Sequence, residues 1–135
     1  MVAVHTSQEQ VLIFLPYLPK RNRAKHAPVN EILAAEIPFH RFPKWSRWSA
    51  SFTHLYPATT RNIPKDVDNY DYKRTIDLLA YALGTSDNAL NYSMSMQTVF
   101  SDILPPGVYI QLRPKSSDKD SICALEPFLK LRNKE

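Results

Sequence analysis

Apolar and polar positions along the chain alternate with two different periods, and proline marks most of the changes between them. The run "EQVLIFLPYL", residues 9 to 18, is short, β-branched and aromatic, and is stopped by Pro16 and Pro19, which predicts a first strand. "PKRNRAKHAPVN" has no apolar period and proline near both ends, so it reads as an exposed basic loop. Asn30 then caps a predicted short helix over "EILAAEI", terminated by Pro38. In "WSRWSASFTHLY" every second residue is Trp48, Ala50, Phe52, His54 or Tyr56, a strand pattern that ends at Pro57. Ile76, Leu79, Ala80 and Leu83 recur at helical spacing and predict a helix over 69–83, with Asp68 or Asn69 as cap and Gly84 as stop. Period two returns in "ALNYSMSMQTVF" and "GVYIQLRP", with "PPG" between them, which predicts a terminal strand pair of the meander type. The final segment, with Ile122, Leu125, Phe128 and Leu131, fits an amphipathic turn or an edge strand.

The 135 residues, 44% hydrophobic, suffice for one domain with one core. No apolar run approaches the roughly 20 residues that span a bilayer, and the start lacks the features of a secretory signal, so a soluble, cytoplasmic protein is expected. Cys123 is the only cysteine, which excludes an internal disulfide and a cysteine-based zinc site. With Gly84 and Gly107 as the only glycines there is no phosphate-cradling loop, so no nucleotide cofactor is expected.

Charge is unevenly placed. Nine of the basic residues lie between Lys20 and Lys65, against Glu31 and Glu36 alone. From Asp66 to Asp102 six aspartates face only Lys73 and Arg74. A chain that grips phosphates and also holds divalent cations needs both regions. In "IPKDVDNYDYKR" the carboxylates of Asp66 and Asp68 project to one side if the backbone is extended, and their repulsion is relieved by a cation such as Mg²⁺, which takes carboxylate, water and phosphate oxygens. The plainer account is helix capping, for which aspartate and asparagine are favoured in any case.

The order of these features resembles the RusA-like family of Holliday junction resolvases over roughly residues 11–114, with the sharpest parts in "KDVDNYDYKRTIDLLAYAL" and "SDNAL". The resemblance implies an α+β fold, a small mixed β-sheet with helices packed on one face, in a domain of residues 1–114 followed by an extension of residues 115–135. It also implies a homodimeric, magnesium-dependent endonuclease that nicks branched DNA in pairs, with Mn²⁺ able to substitute for Mg²⁺. By motif, Asp66, Asp68 and Asp87 fall on the metal-binding aspartates, Asn69 on the signature asparagine and Lys73 on the helix lysine, which would contact the attacked phosphate. Two departures stand out: Ser86 replaces the first member of the later acidic pair, and Lys73 comes one residue late, with Tyr72 in the expected place. Lys73 can equally form a helix-face ion pair with Asp77.

Lys20, Arg21, Arg23, Lys25, Arg61 and Lys65 are the candidate DNA contacts. "HRFPKWSRW" interleaves Arg41, Lys44 and Arg47 with Phe42, Trp45 and Trp48, so those aromatics either stack on unpaired bases or pack in the core or at a dimer contact. The dispersed His5, His26, His40 and His54 do not form a zinc site. The rival reading is a catalytically inactive, structure-selective DNA-binding protein, motivated by Ser86.

Overall fold

The computed structural model describes residues 2–18, 41–61, 72–86, 88, 91–115 and 118–132. The predicted helix at "EILAAEI" and the basic loop before it lie outside the described residues. The elements are β1 (Ala3–Thr6), β2 (Val11–Leu15), β3 (Trp48–Tyr56), α1 (Lys73–Ala82), β4 (Tyr92–Phe100), β5 (Gly107–Pro114), α2 (Lys119–Cys123) and α3 (Glu126–Arg132). The result is a small α+β protein built on a five-stranded sheet of order β1-β2-β5-β3-β4.

Pairing is antiparallel except between β3 and β4, which run parallel from Trp48 opposite Tyr92 to Tyr56 opposite Phe100. The expected meander of β4 with β5 is therefore corrected: β3 lies between them, and "PPG" belongs to a connection that passes from the edge strand to an interior one. Burial accounts for the placement. β3 and β5 each bury one alternating set of residues almost completely and suit the interior, whereas β4 buries none and suits an edge. A parallel pair also needs a crossover, and α1 supplies it. β1 is an additional edge strand, joined to β2 by a turn in which Ser7 Oγ accepts from the Gln10 N–H and donates to the Gln10 carbonyl.

The core lies on one face of the sheet. Val11, Ile13 and Leu15 of β2, Trp48, Ala50 and Phe52 of β3, and Val108, Ile110 and Leu112 of β5 pack with Ile76, Leu79, Ala80 and Leu83 of α1. The period-two and helical patterns thus meet in one layer, where each large side chain removed from water contributes on the order of 2 kcal/mol. Phe42, Trp45 and Trp48 all belong to this core, so the aromatics of "HRFPKWSRW" pack inside instead of stacking on bases. On the opposite face Ser95 bonds Ser51 and Gln97 bonds Thr53 across β3 and β4. A concavity of about 470 Å³ opens on that side, and the Phe14 and Tyr109 that line it have ring centroids 4.8 Å apart. No carboxylate is among the described residues that line it, and α1 packs on the other face.

Candidate metal and nucleic-acid site

Asp66, Asp68, Asn69 and Asp87, and the basic residues Lys20, Arg21, Arg23, Lys25 and Lys65, lie outside the described residues. Among the described residues no group of three or more acidic, histidine or cysteine side chains could hold a metal ion. Arg61 and Lys73 are described, and both are exposed. The structure also defines the frame on which the two acidic segments are mounted, because Tyr72 follows the first and Ser86 immediately precedes the second.

α1 begins at Lys73, with Tyr72 at its N-cap and no side-chain hydrogen bond there, instead of being capped by Asp68 or Asn69. The Tyr72 side chain explains this start. Its ring is buried, stacked on Phe52 at a centroid distance of 4.4 Å, and its hydroxyl lies 2.5 Å from Nε2 of His54. Helical phase is therefore set by a tertiary contact and not by a cap. His54 Nδ1 is 3.2 Å from the Gln97 carbonyl, which can only accept, so Nδ1 carries the proton and Nε2 accepts from the Tyr72 hydroxyl.

That arrangement requires a neutral imidazole. Burial lowers the His54 pKa from its ordinary 6.5 to about 4, and the Gln97 carbonyl opposes the shift. Between these values the unfolded chain binds the proton and the folded chain does not, so stability rises with pH. Stability is complete above about pH 6.5 and decreases as pH falls toward about 4, by roughly 3 kcal/mol over the window at 1.36 kcal/mol per unit. Denaturant unfolding of wild type and His54→Phe at steps between neutral and mildly acidic pH should show this slope reduced in the variant. Parallel curves would assign the titration to other groups.

The other end of α1 is held as firmly. Gly84, at φ +70°, closes a Schellman motif in which the Gly84 N–H donates to Tyr81 and the Thr85 N–H to Ala80. The next two carbonyls are also used: Lys44 Nζ donates to Ala82 at 2.6 Å and the Trp45 N–H to Leu83 at 3.1 Å. Lys44, a candidate phosphate contact by composition, is thus committed to a helix C-terminus, where its charge also opposes the dipole. Arg47 is likewise paired, with Asp118 at 2.6 Å, and holds that carboxyl below the usual carboxylate range.

Beyond Gly84 the Trp48 indole N–H donates to the Ser86 carbonyl at 3.0 Å and Thr85 Oγ1 donates to the Ser46 carbonyl at 2.8 Å. The Ser86 hydroxyl oxygen accepts from Nδ2 of Asn88 at 2.8 Å and from Nδ2 of Asn91 at 3.0 Å. Where the family pattern has an acid, this chain has the organiser of a turn. Ser86 is a loop-shaping residue, and the two asparagines that hold it carry a role that sequence reasoning missed. Its only sequence signal is the clustering of Ser86, Asn88 and Asn91 ahead of a strand.

Tyr72 therefore sits against Phe52 and His54, and the Ser86 carbonyl against Trp48, toward opposite ends of β3. The ten residues of α1 between them span about 15 Å. No helix among the described residues is long and apolar enough to cross a membrane. No protein-family model matches this chain, and no curated protein matches its sequence.

Proposed function

We propose that this chain is a Mg²⁺-dependent endonuclease acting on four-way DNA junctions, a RusA-like resolvase. The observation that carries the reading is the order of charge around α1: a basic stretch, "DVDN" before the helix, an exposed Lys73 in its first turn and Asp87 just past its end. Asp66, Asp68 and Asp87 would hold the ion, since Ser86 already uses its hydroxyl oxygen within the turn. Bound there, Mg²⁺ supplies charge neutralisation at the scissile phosphate and an activated water. Lys73 would bind a phosphate oxygen, and the basic residues would hold the flanking backbone. Because Tyr72 and Ser86 are about one helix length apart, convergence of the three carboxylates requires the segment before Tyr72 to return along α1 or a second subunit to supply Asp87. A two-fold homodimer serves the second route and suits two symmetric strands. The test is nicking of a synthetic junction with and without Mg²⁺, by wild type and by Asp68→Asn.

The engagement of Ser86 by Asn88 and Asn91 supports a second reading, a catalytically inactive binder of branched DNA. That protein would bind the junction tightly and leave it intact. Both readings predict affinity that falls linearly with the logarithm of salt concentration. Changing Lys20, Arg21, Arg23 and Lys25 together to alanine should reduce that slope by up to about 3.6, at roughly 0.9 for each phosphate no longer neutralised. Titrations at a series of salt concentrations measure it, and an unchanged slope would remove this loop from the interface.

A further inference from the structure

The face of the sheet opposite α1 carries two cross-strand rows of different chemistry. Phe14, Tyr109 and Thr53 stand in register on β2, β5 and β3, and Leu12, Gln111 and Ser51 form the next row. All six line the concavity of about 470 Å³, a volume within the range of ligand sites. The first row is an aromatic floor. The Phe14 ring lies against the backbone of Gly107, where a Cβ would collide with it, and the Tyr109 hydroxyl donates to the Pro105 carbonyl at 2.7 Å. Neither ring therefore depends on a ligand for its position. Thr53 Oγ1 accepts from Gln97 Nε2 at 3.1 Å, which leaves its O–H as a donor.

Charge enters at the second row. Arg113, two residues beyond Gln111 on the same face of β5, is exposed, and its guanidinium reaches back to that row. With the Gln111 amide oxygen turned toward it, Arg113 donates through Nε at 3.1 Å and through Nη2 at 2.7 Å. Among the described residues the ion pairs are Arg47–Asp118 and Lys115–Asp118, so Arg113 has no carboxylate partner there. The site thus combines an aromatic floor, uncharged hydrogen-bonding groups and a cation one row, about 7 Å, from the rings. A cationic ligand is repelled, and a purely aliphatic one leaves Gln111 and Thr53 unpaired beneath it. A planar ring with polar edges, joined to an anion, satisfies every group. We propose that this face holds an unpaired nucleotide of a DNA strand, with its base stacked on Phe14 and Tyr109 and its phosphate at Arg113. The inference goes beyond the nuclease reading and needs no metal, so binding in EDTA tests it separately.

The test titrates a labelled oligothymidylate of about 12 nucleotides, and a duplex of the same length, in EDTA. Phe14→Leu combined with Tyr109→Leu keeps apolar side chains and removes both rings. It should weaken single-strand binding about tenfold or more and leave duplex affinity unchanged, with circular dichroism and the denaturant midpoint confirming the fold. Arg113→Gln should lower the slope of log affinity against log salt for the single strand by about 0.7. In wild type, ultraviolet crosslinking of an oligonucleotide carrying bromodeoxyuridine should map to Phe14 or Tyr109, a readout that needs no variant. Crosslinks confined to other residues would overturn the proposal, as would a double variant that loses single-strand and duplex affinity equally or loses neither. An unchanged salt slope in Arg113→Gln would overturn the placement of the phosphate. Nicking that persists without aromatic-dependent single-strand binding counts against this inference alone, and such binding without nicking counts against the nuclease alone.

Discussion

Asp68→Asn is expected to lower Mg²⁺-dependent nicking of a four-way junction by at least about a hundredfold while leaving junction affinity in EDTA and thermal stability close to wild type. The asparagine side chain keeps the size and one carbonyl oxygen of aspartate but loses the charge that holds a divalent ion. The transition-state stabilisation supplied by a metal is several kcal/mol, and each 1.36 kcal/mol is tenfold in rate. Raising Mg²⁺ or substituting Mn²⁺ should recover part of the activity if the defect is weakened binding of the ion, a response that misfolding would not give. If that segment faces DNA as proposed, the same change removes one negative charge beside the phosphates, so affinity without metal should hold or improve. Equal nicking by wild type and variant would dismiss the signature as the active site. Tight binding without nicking by either protein would favour the inactive binder.

The elements easiest to read in the sequence are those whose burial pattern is set by one neighbour. β3 and β5 are legible because Trp48, Ala50 and Phe52, or Val108, Ile110 and Leu112, face a single layer without interruption. α1 is legible from Ile76, Leu79, Ala80 and Leu83 for the same reason, and Gly84 marks its end through a conformation that glycine favours. Its start is not legible, since it is set by Tyr72 reaching His54 across 18 residues, an interaction that no local period encodes. The partner of β4 is hidden for a related reason: alternation defines the two faces of a strand but not its neighbour, and only the crossover through α1 places β4 beside β3. β1 has four residues and contributes partly buried Val4 at the edge of the core, too little alternation to register. The candidate site divides along the same line. Motif order proposes Asp66, Asp68, Asp87 and Lys73, whereas the contacts of Tyr72 with Phe52 and His54 and the bond from Trp48 to the Ser86 carbonyl, at the residues adjoining the motifs, come from distant parts of the chain.

Trp48→Ala is expected to cost about 3–5 kcal/mol of folding stability, a large share of what a domain of this size possesses. Trp48 is fully buried at the start of β3, its ring centroid is 4.4 Å from that of Tyr92 on the neighbouring strand, and its indole N–H serves the Ser86 carbonyl. Alanine would leave a cavity where β3, β4 and the turn after α1 meet. Trp48→Phe separates the two contributions, because it retains most of the apolar volume and a ring against Tyr92 but deletes the N–H donor. Leaving the carbonyl unpaired should cost about 1 kcal/mol, a change that denaturant titration resolves with the slope held constant. If Asp87 belongs to the metal site, the phenylalanine variant should also nick more slowly at saturating junction under conditions where it is fully folded, because the carbonyl of the residue just before Asp87 loses its tie to β3. The Mg²⁺ requirement should rise as the rate falls. Unchanged nicking and an unchanged Mg²⁺ requirement would limit Trp48 to packing and detach the Ser86 turn from catalysis.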